Sequence, residues 1–185
     1  GDAALAAGGA FTAVEAYSKA LGVRSTSVAA YLRRGQAYHT QQRDDEAIRD
    51  WHEASRLAPR ATQPLELLGD LFSRRGEDAQ AASYYERSVA LDAQDPARLY
   101  KLALARYRAG APQTAIDPLR RAVAQNDNFA EAWYLLGLVL RDTQATAEAL
   151  AALEHAARRT TGRRRPRRGQ RSSRPRSSTG RPPRT

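Results

Sequence analysis

The stretch EAWYLLGLVL, residues 131 to 140, is the longest nearly continuous apolar segment of the chain. A membrane-spanning helix needs about 20 apolar residues, and this segment ends at Arg141 and Asp142. We therefore interpret it as part of a folded core, either as a single element or as one copy of a unit that recurs.

The segment recurs every 34 residues. Gly137 has its counterparts in Gly35, Gly69 and Ala103. Four further columns share this interval: a small one, an apolar one, a bulky one and a second small one. In that order they contain Ala13, Ala47, Ala81, Ala115 and Ala149; Val14, Ile48, Ala82, Ile116 and Leu150; Tyr17, Trp51, Tyr85, Leu119 and Leu153; and Ala20, Ala54, Ser88, Ala122 and Ala156. An alanine-rich chain can produce one such column by chance, but four in one register indicate a true repeat.

The spacing within each repeat predicts two short helices. Leu65, Leu68 and Phe72 would share one helix face. Turn signals separate the apolar runs at QRDDE (42–46), RRGED (74–78) and RAGAP (108–112). Helices of this length have too little apolar surface to be stable alone, so neighbouring units must stack into one core. Pro118 lies inside one predicted helix and should kink it.

These columns resemble the tetratricopeptide repeat, in which each 34-residue unit forms two antiparallel helices. The first aromatic or leucine of the family pattern is matched by Tyr31, Leu65, Leu99 and Trp133. Its Leu-Gly pair is matched by Leu68-Gly69 and Leu136-Gly137, and its closing proline by Pro59. The chain departs from the pattern at Arg34 and Arg106, where the family usually has apolar residues.

The resemblance implies an all-α, right-handed solenoid of antiparallel helix pairs. Residues 1–27 would hold the second helix of a truncated repeat, at about Ala10 to Leu21. Residues 28–157 would form four repeats that start near Val28, Thr62, Pro96 and Ala130. We interpret the chain as a fragment or a processed product. Leu150 and Leu153 would lack the cover that a further repeat or a capping helix normally provides.

The net charge of +10 comes from the last segment, residues 158–185, which contains 12 arginines and no acidic residue. It is rich in Pro, Ser and Gly and should be disordered. Such a tail could contact RNA, DNA or an anionic surface by neutralising phosphates, with little sequence specificity because it lacks aromatic residues. Three alternatives stay open: a solvated tail without a role, a segment produced by a shifted reading frame, or a segment that folds back onto Glu66 and Asp70.

The sequence offers little for catalysis or metal binding. The absence of cysteine excludes disulfides, thiolate zinc sites and cysteine nucleophiles. His39, His52 and His155 belong to no recognisable catalytic or metal motif, and no phosphate-binding loop is present. The acidic run from Asp44 to Glu46 is better explained by a helix start than by a metal site. We therefore expect no enzyme, no catalytic or metal residues and no cofactor. No signal peptide or transmembrane segment is visible, so we expect a soluble protein and favour the cytoplasm over the periplasm.

The resemblance implies a concave groove lined by the first helix of each unit, which binds a protein or peptide ligand. By register its lining residues are Leu32, Gln36, His39, Glu66, Asp70, Ser73, Tyr100, Leu104, Tyr107, Tyr134, Leu138 and Arg141. One end would be acidic and the other aromatic and apolar, which suits a ligand with a basic residue next to apolar ones. The carboxylate clamp of chaperone-tail binders is not supported, because only Lys101 fits it by charge.

We thus expect a non-catalytic protein-interaction scaffold. Two alternatives remain: a nucleic-acid-associated protein anchored through its Arg-rich tail, and the regulatory repeat arm of a larger enzyme. Binding tests with and without residues 158–185 would separate the first alternative from the scaffold.

The repeat assignment predicts that Ala81→Leu overpacks a contact between helices. We expect it to reduce the free energy of unfolding by about 1–3 kcal/mol, measured by urea or thermal denaturation. A melting curve that the substitution leaves unchanged would contradict the assignment of helix pairs.

Overall fold

The computed structural model describes the backbone of residues 2–162 and the side chains of residues 8–160. This part of the chain contains nine α-helices and no strand, which confirms the all-α solenoid class. The helices are α1 Asp2–Val23, α2 Val28–Thr40, α3 Asp44–Leu57, α4 Gln63–Arg74, α5 Asp78–Leu91, α6 Pro96–Arg108, α7 Pro112–Gln125, α8 Ala130–Asp142 and α9 Thr146–Gly162. None of the helices described here is long and apolar enough to cross a membrane.

The helices form four sequential pairs: α2 with α3, α4 with α5, α6 with α7, and α8 with α9. Each first helix begins at or next to a position where the sequence predicts a repeat to start. Each pair also packs on the next, so one continuous apolar core runs along the stack. At the N-terminal end, α1 extends beyond the predicted range and packs on α2.

The turn inside each pair has the same backbone geometry, centred on one left-handed residue. These residues are Gln42 (φ 61°), Gly76 (φ 76°), Gly110 (φ 79°) and Gln144 (φ 66°). The amide of the following residue donates to a carbonyl five positions earlier, for example from Glu77 to Phe72 at 2.9 Å. This bond pattern closes the helix end in the manner of a Schellman motif.

Within a pair, a small residue of the first helix faces a bulky residue of the second. A Cβ atom added to Gly35 would lie 2.5 Å from Nε1 of Trp51, and one added to Gly69 would lie 2.6 Å from Cε1 of Tyr85. The bulky column therefore fills the space beside the glycine inside these pairs.

The two arginines that depart from the family pattern join helices through polar contacts. Arg34 donates two hydrogen bonds of 2.7 Å to Asp50 of the paired helix. Arg106 donates to Glu86 of the preceding pair at 2.7 Å and to the carbonyl of Thr114 at 2.9 Å. That carbonyl would normally accept from the amide of residue 118, which proline lacks. Arg106 supplies the missing donor, and α7 runs across Pro118 from Pro112 to Gln125.

The C-terminal boundary differs from the predicted one. The helix α9 continues to Gly162, so residues 158–162 are helical. Two contacts hold this last turn: Arg159 pairs with Asp127, and the Thr160 hydroxyl donates to the Ala156 carbonyl at 3.0 Å. The rest of the predicted disordered tail, residues 163–185, lies outside the described residues.

The left-handed turn position predicts a stabilising substitution. A non-glycine residue in this conformation costs about 1–2 kcal/mol. We therefore expect Gln144→Gly to raise the free energy of unfolding by about 1 kcal/mol, measured by urea denaturation.

Gly76→Ala is the matched control at the equivalent turn, and it should lower the free energy of unfolding by a similar amount. Two substitutions with the same sign would contradict the shared turn geometry.

Candidate peptide-binding surface

The first half of the predicted groove carries carboxylates that are already paired within the chain. Glu66 accepts a hydrogen bond from Nε of Arg98 at 2.9 Å. Asp70 accepts from Nζ of Lys101 at 2.8 Å and from the Tyr85 hydroxyl at 2.5 Å. Arg98 and Lys101 both belong to α6, so these pairs join one helix pair to the next. The end that the sequence predicts to be acidic therefore has its charge balanced by the stack itself.

The pairing of Asp70 has an electrostatic consequence for Tyr85. Burial and the hydrogen bond to Asp70 raise the pKa of the Tyr85 hydroxyl well above its usual range. Tyr85 therefore stays protonated and keeps donating to Asp70. The same pairing engages Lys101, the residue that fits a carboxylate clamp by charge.

The other residues predicted for this half also make contacts within the chain. His39 Nδ1 lies 2.6 Å from Asp44 Oδ1, which ties the end of α2 to the start of α3. Leu32 packs against the core, and Ser73 is half-buried near the end of α4. Gln36 is exposed on α2. This half is polar and presents little apolar surface.

The second half forms an open pocket of about 810 Å³ between α6, α8 and α9. We call it the apolar pocket. Its lining comprises Tyr100, Leu104, Tyr107, Arg108, Ala130, Glu131, Tyr134, Leu135, Leu138, Leu153, Ala156, Ala157 and Thr160. Five of the predicted groove residues are among them, namely Tyr100, Leu104, Tyr107, Tyr134 and Leu138. Tyr134 is 55% exposed, although large aromatic side chains are normally more buried.

Polar groups stand at the edge of the apolar pocket. The Tyr107 hydroxyl donates to Asp142 at 2.7 Å, and Arg141 donates to the other oxygen of the same carboxylate at 2.9 Å. Arg141 is thereby held beside the pocket and is not part of its lining. The hydrogen bonds to Tyr107 and Arg141 lower the pKa of the Asp142 carboxyl, so it stays ionised.

The wall contributed by α9 was not among the predicted groove residues. Its members are Leu153, Ala156, Ala157 and Thr160. One signal for it was present in the sequence, because Leu150 and Leu153 were expected to lack cover. In the structure Leu150 is 61% exposed and Leu153 is half-buried.

The acidic run at the start of α3 is occupied by ion pairs. Arg75 lies 3.4 Å from Asp44 and 3.3 Å from Asp45, and Arg43 pairs with Glu46 at 2.6 Å. No side-chain capping bond is present at this helix start or at the equivalent start of α5, so the acidic groups act there through charge alone. Among the described residues, no group of three or more His, Cys, Asp or Glu side chains could hold a metal ion.

Comparison with protein-family models identifies the family to which this architecture belongs. The tetratricopeptide repeat model matches residues 1–62 and 45–96. The model of anaphase-promoting complex, cyclosome, subunit 3 matches residues 75–156. The chain belongs to the tetratricopeptide repeat family. No curated protein sequence matches it significantly.

Several solved structures share the fold. A crystal structure of MamA has a TM-score of 0.73 at 21% identity, covering 81% of this chain and 88% of that one. MamA residues 41-end from Desulfovibrio magneticus RS-1 gives 0.74 at 14% identity, covering 84% and 88%. The structure of YrrB, described as a TPR protein with an unusual peptide-binding site, gives 0.71 at 20% identity, covering 80% and 77%. At these identities the likeness concerns the fold alone.

The Tyr85–Asp70 bond predicts a pH dependence of stability. The folded chain holds the Tyr85 proton to a higher pH than the unfolded chain, whose tyrosines titrate near pH 10. Its contribution is therefore complete below about pH 10 and is lost as the pH rises above that value. We expect the free energy of unfolding to fall more steeply above about pH 10 in the parent chain than in Tyr85→Phe, measured by urea denaturation across the pH range. Parallel curves would show that Asp70 is not held by Tyr85.

Proposed function

We propose that this chain is a non-catalytic protein-interaction scaffold that binds an apolar segment of a partner protein in the apolar pocket. The observation that carries the proposal is the exposure of Tyr134 within a pocket whose other walls are largely Leu, Ala and Tyr. Aromatic side chains on a rigid helical surface supply contact area at small entropic cost, which favours recognition. A volume of about 810 Å³ is enough for several side chains of a ligand.

The contacts of Glu66 and Asp70 change the ligand that the sequence predicts. A basic ligand residue at that end would have to displace Arg98 or Lys101 from existing ion pairs. Displacing Arg98 would cost most because its side chain is largely buried, whereas the Lys101–Asp70 pair is more exposed and contributes less. We therefore propose an apolar ligand segment and no requirement for an adjacent basic residue. The same cost counts against a fold-back of the Arg-rich tail onto these two carboxylates.

Two comparisons support the scaffold function, but neither identifies a ligand. Tetratricopeptide repeat proteins are generally scaffolds rather than enzymes, and YrrB, which shares the fold, is a TPR protein with a peptide-binding site of its own. The alternative of nucleic-acid binding concerns Arg-rich residues that lie mostly outside the described part of the chain, and no contact of the described residues favours it.

A peptide-display selection against the full chain tests the proposal. We expect enriched sequences to be rich in apolar and aromatic residues. Their dissociation constants, measured by isothermal titration calorimetry, should rise at least about tenfold in Leu138→Arg, because a cation would interrupt the apolar surface that the ligand contacts. Ala90→Arg is the matched control, since it adds the same charge at an exposed position of α5 outside the pocket.

The opposite result would be ligands that bind the two variants equally. If binding instead required residues 163–185 and fell steeply with salt, with poly(U) as the probe, the nucleic-acid alternative would replace the scaffold.

A further inference from the structure

The repeat register gives each helix pair four side chains, two on each of its helices, at the positions that meet the first helix of the next pair in the second and third pairs. We call these four the stacking face of the pair. In the second pair they are Glu66, Asp70, Tyr85 and Ser88. The incoming helix α6 meets this face with two cations. Arg98 donates to Glu66 at 2.9 Å, and Lys101 Nζ lies 2.8 Å from Asp70. The second stacking face is thus polar and takes a basic helix.

The third stacking face is apolar and takes an apolar helix. It consists of Tyr100, Leu104, Leu119 and Ala122. In the incoming helix α8, the register places Ala132 and Leu135 where α6 has its two cations. Both are buried, with exposures of 0% and 5%. The ring of Phe129, next to the start of α8, lies 5.1 Å from the ring of Tyr100.

The fourth stacking face has the same residue as the third at all four positions. It consists of Tyr134, Leu138, Leu153 and Ala156. This identity is not a general property of the repeat. The first face, which consists of Leu32, Gln36, Trp51 and Ala54, shares only its alanine with the third, and the second face shares nothing with it.

No helix of the described part lies on the fourth face. Tyr134 is 55% exposed, whereas its counterpart Tyr100 is half-buried beneath Phe129. Leu153 is half-buried, whereas its counterpart Leu119 has no exposed surface. Two of the four side chains, Tyr134 and Leu153, are therefore more exposed at the fourth face than their counterparts are at the third. Leu104 and Leu138 are both half-buried, and Ala122 and Ala156 are both buried.

Two occupants within this protein fit the fourth face poorly. Residues 163–185 consist only of Arg, Pro, Gly, Gln, Ser and Thr, so they cannot supply an apolar helix face. The α8 helix of a second copy has Ala132 and Leu135 buried in its own core. A helix of a partner protein with apolar contact residues like those of α8 fits the face.

We propose that the fourth stacking face binds one amphipathic helix of a partner protein, seated as α8 is seated on α6 and α7. The partner helix carries an aromatic residue, a small residue three positions later and a leucine three positions after that. This is the spacing of Phe129, Ala132 and Leu135. The inference rests on the proposed function, because the face forms part of the apolar pocket, and it specifies the shape and sequence pattern of the ligand.

Charge at one edge of the face adds a further preference. At the third face the Tyr107 hydroxyl donates to Asp142, which lies seven positions after the leucine of the pattern. At the fourth face the counterpart of Tyr107 is Arg141. An acidic residue at the same place in the partner helix would therefore meet a guanidinium, a stronger donor to a carboxylate.

A peptide copied from α8 is the direct probe. It comprises residues 126–144, labelled with a fluorophore, with Leu136 and Leu140 replaced by Glu for solubility. In the intact fold these two leucines line a small pocket with residues of α7 and α9, and neither is a member of a stacking face. The matched control peptide also carries Ala132→Arg and Leu135→Lys, which gives it the cations of α6.

With the full chain, fluorescence anisotropy should give a dissociation constant at least about tenfold lower for the first peptide than for the control peptide, because the fourth face offers no carboxylate to the two cations. Equal binding of the two peptides would overturn the proposal.

A double substitution in the protein tests the same contact from the other side. Tyr134→Glu with Leu138→Asp gives the fourth face the carboxylates of the second. Both positions retain solvent access, so the fold should tolerate the change. We expect the preference to invert, with the control peptide binding this variant at least about fivefold more tightly than the first peptide. Ser83→Glu with Ala90→Asp adds the same charge at exposed positions of α5 and should leave the original preference unchanged.

The outcomes separate this inference from the proposed function. If peptides from the display selection lose affinity in Leu138→Arg while the α8 peptide binds no better than its control, the scaffold function stands and the helix-docking inference fails. If neither set depends on Leu138, both fail. Self-association of the full chain that the double substitution abolishes, measured by light scattering, would assign the face to a second copy and overturn the proposal.

Discussion

The contact between a glycine or alanine of each first helix and a bulky side chain of its partner helix sets the geometry of the whole stack. At Gly35 and Gly69 the aromatic rings of Trp51 and Tyr85 occupy the space that a Cβ would need. The backbones approach closely because nothing larger stands between them, and the ring then fills the gap beside them. Since the contact repeats in register, every pair presents the same positions to its successor.

The residues at those positions determine whether the junction between one pair and the next is polar or apolar. The second pair uses Glu66 and Asp70 to hold Arg98 and Lys101, so these carboxylates serve the stack rather than a ligand. The third and fourth pairs have apolar residues instead, and this change creates the apolar pocket. Polarity therefore varies along one surface while the backbone geometry stays constant. The proposed function rests on the junction that the described part of the chain leaves open.

Periodicity made much of the fold predictable. The 34-residue columns place the first helix of every pair within a residue of its observed start, because the interval fixes where a unit must begin. Glycine marks the left-handed turns at Gly76 and Gly110, but Gln42 and Gln144 adopt the same conformation without this signal. At those two turns the repeat imposes a geometry that local propensity does not predict.

The site was harder to predict because its character depends on pairs between units. Glu66 and Asp70 look free in the sequence, although their partners lie 32 and 31 residues later, close to one repeat interval. Aligning the charged residues of neighbouring units by the 34-residue register would have predicted both ion pairs. Arg106 could not have been placed in this way, because one of its acceptors is the carbonyl that Pro118 leaves without a donor. The contribution of α9 to the apolar pocket could not be predicted, because the sequence does not show what covers the last unit.

The most direct test of the account is to measure solvent access at two equivalent leucines in the free full chain. Methyl NMR with a soluble paramagnetic gadolinium chelate reports this access for Leu119 and Leu153 in one sample. We expect a much larger relaxation enhancement at Leu153, because α8 covers Leu119 and no described helix covers its counterpart. Equal protection of the two methyl groups would contradict it, since the last face would then already be occupied.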